Sequence, residues 1–75
     1  MNKNELLLEF GRNLRAERNR AGLSQDGLAE KINICAGKHI GTIERGETNP
    51  TLTTIIAIMK TLNISFDKLI DTEKL

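Results

Sequence analysis

Residues 25–46 read QDGLAEKINICAGKHIGTIERG, a stretch with two short helical patterns separated by small residues. The first pattern has apolar residues at helical spacing, namely Leu28, Ala29 and Ile32. The second places Ile40 and Ile43 inward and ends at Gly46, a residue that tolerates the left-handed conformation of a helix stop. This stretch therefore predicts two helices joined by a turn, the second running over about residues 38–45.

Capping residues outside this stretch predict three more helices, and thus an all-α domain of five helices. The first is expected from about Asn4 to Ala21 and the fourth over residues 52–62. An alternating strand over 52–62 would place Thr54 and Lys60 among its apolar residues, so the helix is favoured. The N-cap candidates of the second, fourth and fifth helices are Ser24, Thr51 and Ser65. Further residues expected to end helices are Gly22, Asn33 and Asn63.

Length and composition restrict the class of protein. With 75 residues the chain has room for one domain, residues 1–75, and such a domain buries about 60% of its unfolded surface. A single cysteine excludes an intrachain disulfide and a single histidine argues against a zinc cluster, so no metal or cofactor is expected. The longest apolar run, residues 55–59, is far shorter than a membrane span, and no signal-peptide cleavage site follows the first residues. A cytoplasmic protein without a membrane partner is expected.

The charges are unevenly distributed along the chain. The net charge is only +1, which by itself argues weakly against a nucleic-acid partner. Residues 10–46, however, hold seven basic residues against four acidic ones, a net charge of +3. This segment is consistent with a basic face, and an ordinary solvated surface is the alternative interpretation.

Four short motifs in and around the opening stretch resemble the Cro/C1-type (XRE-like) helix-turn-helix family. They are Gly22-Leu23-Ser24-Gln25, Leu28-Ala29-Glu30-Lys31, Ile43-Glu44-Arg45-Gly46 and Asn49-Pro50-Thr51-Leu52. The resemblance covers roughly residues 10–70 and implies a lambda-repressor-like fold that binds DNA and regulates transcription. The chain is most similar to short single-domain members, including controller proteins of restriction-modification systems, although small repressors and antitoxins share its size and motif. One departure is an extra residue between Ile34 and Ile40, which lengthens the turn.

The resemblance also implies which side chains contact DNA. The base-reading positions of the family's recognition helix fall on Ala36, Gly37, Lys38 and Thr42, and His39 is a further candidate. Lys38 suits guanine O6 and N7, with a phosphate contact as the alternative, and Thr42 offers a hydroxyl and a methyl group. Gln25 resembles the family's phosphate-binding glutamine, at a helix start that favours an anion. Second candidates for phosphate contacts are Arg12, Asn13, Thr48 and Asn49.

Two further pairs of residues have expected roles, one pair at the DNA surface and the other inside the protein. Gly37 and Gly41 are expected to remove bulk where the recognition helix approaches DNA. By resemblance, Arg18 and Glu44 lie where the family forms an internal ion pair between its first helix and the end of its recognition helix.

A homodimer on a palindromic operator is expected, because two-fold repetition lets two recognition helices reach half-sites about 34 Å apart. The fourth and fifth helices are predicted to form the interface. Its apolar candidates are Ile58, Ile64 and Phe66, each of which could also serve the core.

The sequence leaves two classes of function to weigh against DNA binding. An enzyme is disfavoured, because the nearest nucleotide-binding signature, residues 41–46, lacks a phosphate-binding lysine and no catalytic grouping has recognisable spacing. No small-molecule ligand is expected either. A protein-interaction module, such as an antitoxin-like protein that binds a partner and for which DNA is secondary, stays open because the net charge is near zero.

Overall fold

A computed structural model describes residues 1–33 and 37–75 of the chain. Within these ranges the secondary structure consists of four α-helices and two short 3₁₀ turns, and contains no strand. The helices are α1 (Lys3–Arg20), α2 (Gln25–Ile32), α3 (Gly37–Glu44) and α4 (Leu52–Leu62), and the turns are Phe66–Lys68 and Thr72–Lys74. The all-α fold class is thereby confirmed.

The expected fifth helix is wrong: the chain forms only a three-residue 3₁₀ turn there. The Ser65 side chain accepts no capping hydrogen bond, and its hydroxyl donates to the carboxylate of Asp67. The carbonyl of Leu69 accepts a hydrogen bond from the Asn13 side chain at 2.8 Å. The chain therefore turns inward after Ser65, which lets Leu69 and Ile70 enter the core.

The helix boundaries follow the capping residues. The side chains of Ser24 and Thr51 accept hydrogen bonds from the backbone N–H groups three residues later, at 2.9 and 3.2 Å, as expected of N-caps. Asn33 and Asn63 adopt the left-handed conformation, with φ of 52° and 54°, and end α2 and α4. These four capping predictions are confirmed.

A small apolar core lies between the four helices and the C-terminal segment. Its fully buried side chains are Leu14, Leu28, Ile40, Ile43, Ile58 and Leu69. Ile58 therefore cannot be an exposed interface residue, because its side chain points into the core. Ile64 is partly buried against that core, whereas Phe66 is 39% exposed. Of the three interface candidates, only Phe66 presents a largely accessible apolar side chain.

The C-terminal segment is held against α1. The backbone N–H of Asp71 donates to Glu9 at 3.1 Å, and the ammonium of Lys74 lies 3.5 Å from the other carboxylate oxygen of Glu9. The hydrogen bond from Asp71 and the charge of Lys74 hold the pKa of Glu9 below its usual value. These contacts hold residues 71–74 against α1 at Glu9.

Candidate nucleic-acid interface

Two isoleucines fasten α3 to the body of the protein. Ile40 and Ile43 are 0% and 1% exposed, and α3 packs against both α1 and α2. Lys38 on the same helix is exposed, and His39 and Thr42 are half-buried. The prediction that α3 is anchored by the two isoleucines, with polar side chains left at the surface, is confirmed.

Gly37 serves packing between α2 and α3, which corrects the expectation that it faces DNA, whereas Gly41 lines the polar cleft described below. Both Gly37 and Gly41 are buried. A Cβ atom on Gly37 would lie 2.9 Å from Cα of Asp26, and one on Gly41 would lie 3.2 Å from the Gln25 side chain. Gly37 is therefore not a base-reading position, because α2 covers it. The Ala36 prediction lies outside the described residues.

Arg18 and Glu44 form the ion pair that the resemblance implied. The guanidinium donates to both oxygens of Glu44, at 2.6 and 3.0 Å, and it also donates to the carbonyl of Leu23 at 2.8 Å. The side chains of the pair are only 10% and 4% exposed. The hydrogen bonding to Glu44 raises the pKa of Arg18 above its usual value, so the guanidinium stays charged.

Gln25 joins this ion pair at the start of α2. Its amide donates to Glu44 at 3.1 Å, which uses one of its two N–H donors. The amide therefore has a second N–H donor beyond the one bonded to Glu44. Glu44 thus holds together residues from three helices.

A polar cleft of about 260 Å³ opens beside this network. It is lined by Arg15, Arg18, Gln25, Gly41, Glu44 and Arg45. Arg15 and Arg45 are exposed, and the bond from Arg45 to Glu47 at 3.1 Å joins two side chains that are each 57% exposed. Exposed ion pairs of this kind contribute little to stability. The guanidinium of Arg45 can therefore leave Glu47 to bind an anion.

Sequence reasoning missed Arg15 and Arg45 as members of this cleft. A usable signal was present, because Arg15 precedes Arg18 by one helical turn and Arg45 directly follows Glu44. The structure brings both cations to the ion pair that the resemblance identified.

The hydroxyl groups of Thr48 and Thr42 form a chain that ends on the backbone of α3. Thr48 donates to Thr42 at 2.9 Å, and Thr42 donates to the carbonyl of His39 at 2.8 Å. A hydroxyl has only one proton to donate. The Thr48 hydroxyl therefore has no proton left for a phosphate in this arrangement.

The remaining phosphate candidates divide by their surroundings. The side-chain amide of Asn13 uses one of its two N–H donors on the carbonyl of Leu69, and its contact with a phosphate stays a prediction. Arg12 is exposed and lies near enough to Glu9 to affect its pKa. Asn49 is exposed at the edge of an apolar groove of about 110 Å³ that Phe10 and Phe66 help to line. Arg12 and Asn49 stay predictions.

Features of a metal-binding or membrane-spanning protein are absent from the part of the chain that the structure describes. Over residues 1–33 and 37–75, no group of His, Cys, Asp and Glu side chains has the arrangement of a metal site. None of the helices in these ranges is long and apolar enough to cross a membrane.

Comparison with known proteins adds three relatives. The chain is 43% identical over 75 residues to the control protein C.SmaI of Serratia marcescens, covering 100% of this chain and 84% of that protein. It is 38% identical over 65 residues to the HTH-type transcriptional regulator YazB of Bacillus subtilis strain 168, covering 87% of this chain and 93% of that protein. The crystal structure of the restriction-modification controller protein C.AhdI from Aeromonas hydrophila superposes with a TM-score of 0.77 at 35% identity, covering 84% of this chain and 94% of that chain.

A sequence profile of the helix-turn-helix family matches residues 14–69, which include all of α2, α3 and α4 and part of α1. The anchored α3, the ion pair beneath it and the three relatives agree with that match. The chain belongs to the Cro/C1-type helix-turn-helix family.

Proposed function

We propose that this protein is a sequence-specific transcriptional regulator that controls restriction-modification genes by binding a palindromic operator as a dimer. The observation that carries the proposal is α3 itself, which Ile40 and Ile43 fasten to the core while Lys38 stays exposed. A helix presented in this way fits the major groove of B-DNA. The likeness to C.SmaI and C.AhdI, both named as controller proteins, supports the choice of target genes.

The polar cleft is proposed as the site of a DNA backbone phosphate. Gln25 has an N–H donor left there, and the start of α2 favours an anion. Arg15 and Arg45 add two exposed cations to the lining of the same cleft. Phosphate contacts of this kind set the orientation of the protein, whereas base contacts from α3 select the sequence.

The dimer interface is proposed on the outer side of α4 and the adjoining turn. Leu52 and Ile56, one helical turn apart, are 74% and 42% exposed, and Phe66 is 39% exposed. Exposed apolar side chains at this spacing form a stripe suited to a second copy of the chain. These residues replace Ile58 as interface candidates, because Ile58 is buried in the core.

The protein is proposed to act by binding and not by catalysis, and to act in the cytoplasm, where a bacterial operator is located. The competing proposal is a partner-binding protein for which DNA is secondary. The near-neutral net charge is the observation that favours this alternative.

Salt dependence separates the two proposals. DNA binding through several phosphates should weaken steeply between about 50 and 200 mM salt, because each contact releases counterions. The test selects bound duplexes from a random pool and then measures the affinity of the selected duplex across that range. A flat salt response, or no duplex recovered, would favour the partner-binding protein.

Alanine substitutions distinguish base reading from phosphate contact. Lys38→Ala should weaken binding to the selected duplex by roughly 1 to 3 kcal/mol and relax the base preference at one base pair. Gln25→Ala should weaken selected and random duplexes alike, because a phosphate carries no sequence information. Lys31→Ala, on an exposed lysine of α2, is the matched control. Equal losses on all duplexes for Lys38→Ala would make Lys38 a phosphate contact.

The interface proposal is tested by sedimentation. The double substitution Leu52→Ser and Ile56→Ser should shift the protein from dimer to monomer, because it removes the two most exposed apolar residues of α4. Lys31→Ser, on an exposed lysine of α2, should leave the dimer unchanged. A wild-type chain that sediments as a monomer at high micromolar concentration would contradict the proposed dimer.

A further inference from the structure

We propose that Thr42 reads the operator through its methyl group, which would contact the 5-methyl group of a thymine, and that Thr48 positions it for this contact. The inference rests on the proposed function, because it specifies how one residue of α3 selects a base. The juxtaposition that carries it is the hydroxyl chain from Thr48 through Thr42 to the carbonyl of His39.

The hydroxyl of Thr42 is already committed within the protein. Its single proton is donated to His39 at 2.8 Å, and one of its two lone pairs accepts from Thr48 at 2.9 Å. A threonine hydroxyl bonded to the carbonyl three residues earlier also selects one side-chain rotamer in a helix. Thr48 therefore restrains the Thr42 side chain from the loop that follows α3.

The committed hydroxyl limits which bases Thr42 can recognise. In the major groove guanine presents the acceptors O6 and N7, and thymine presents the acceptor O4 beside its methyl group. Thr42 has no proton left for any of these acceptors. Donating to a base would require breaking its bond to His39 and rearranging the bond from Thr48, whereas a methyl contact requires no rearrangement.

The position of Thr42 on α3 suits such a contact. It lies four residues after Lys38, so the two side chains share one face of the helix. Thr42 is half-buried and Lys38 is exposed. Lys38 is therefore assigned to the polar edge of a guanine, and Thr42 to the apolar edge of a nearby thymine.

The experiment begins with the duplex selected for the wild-type protein. Each thymine of a half-site is replaced in turn by uracil, which removes only the methyl group. At one thymine the wild-type protein should lose about three- to fivefold in affinity, the effect of one buried methyl group. If no uracil substitution changes the affinity of the wild-type protein, the inference is overturned.

Three variants then identify the residue responsible. Thr42→Val keeps a methyl group but removes the hydroxyl that His39 and Thr48 hold, so its distinction between thymine and uracil at that position should shrink without vanishing. Thr42→Ser keeps the hydroxyl and removes the methyl group, so it should bind both duplexes equally. Thr48→Val should reduce the distinction, because Thr42 loses its restraint. Circular dichroism confirms that each variant is folded.

The outcomes separate this inference from the proposed function. If the Thr42→Ser protein binds its selected duplex specifically and still distinguishes thymine from uracil, the role of Thr42 is overturned. The proposed function would then still stand. An unchanged distinction in Thr48→Val overturns the positioning role of Thr48. Failure to select any duplex overturns the proposed function, and this inference with it.

Discussion

Replacing Glu44 with alanine is expected to lower the free energy of unfolding by about 3 to 5 kcal/mol, because it leaves the charge of Arg18 buried without a partner. Arg18 is only 8% exposed, and the variant lacks the acceptor of the two hydrogen bonds that Arg18 donates to Glu44. The amide of Gln25 loses its acceptor as well. Urea unfolding followed by circular dichroism measures the change.

Two further variants isolate the cause. The double substitution Arg18→Met and Glu44→Met should recover most of the loss, because apolar side chains of similar volume often replace a buried ion pair without cost. Glu30→Ala, on an exposed glutamate of α2, should change stability by less than about 0.5 kcal/mol. A Glu44→Ala protein as stable as the Glu30→Ala control would contradict the structural role of the pair.

The substitution Gly11→Ala is expected to destabilise the protein by about 2 to 3 kcal/mol through overpacking. A Cβ atom on Gly11 would lie 2.7 Å from the carbonyl carbon of Glu44, and closer still to the carbonyl oxygens of Ile43 and Glu44. These are backbone atoms, which cannot turn aside as a flexible side chain can. The end of α3 must therefore move away from α1.

Thermal unfolding measures this effect. The unfolding temperature should fall by roughly 10 °C or more, since each kcal/mol shifts it by about 4 to 8 °C in a domain of this size. Gly27→Ala is the matched control, because a Cβ atom there would meet first the Ser24 hydroxyl, at 3.1 Å. If the Gly11→Ala protein unfolds at a temperature as high as the Gly27→Ala protein, α1 and α3 do not pack so closely.

Local signals predicted the helices well where the chain determines its own conformation. Ser24, Thr51, Asn33 and Asn63 each act within one turn of themselves, so their roles can be predicted without knowledge of the fold. Ser65 had the same signal but its hydroxyl bonds Asp67 instead. The residues that follow it are bonded to α1, through Leu69 to Asn13 and through Asp71 to Glu9, which local signals do not reveal.

The candidate site was predictable only in part, for the same reason. The helical spacing of Ile40 and Ile43 identified the buried face of α3, and the family motif identified Arg18 and Glu44 as a pair. The place of Arg15 and Arg45 in the cleft depends on how α1 crosses α3. The hydroxyl chain from Thr48 to Thr42 likewise depends on the loop returning beside α3.

The order of the α-helices, the buried faces of α2 and α3 and the caps at Ser24, Thr51, Asn33 and Asn63 were thus determined by the sequence itself, because hydrophobic periodicity and capping act over a few residues. In α4 the packing decided the buried face, since Thr54 and Ile58 are buried while Leu52 and Ile56 are exposed. Tertiary structure decided the role of each glycine in α3, the length of the C-terminal turn and which donors stay free for DNA. Those properties depend on the distance between helices that are remote in sequence. Gly37 illustrates the difference: its lack of a side chain is visible in the sequence, but only its contact with Asp26 shows that it serves packing between α2 and α3.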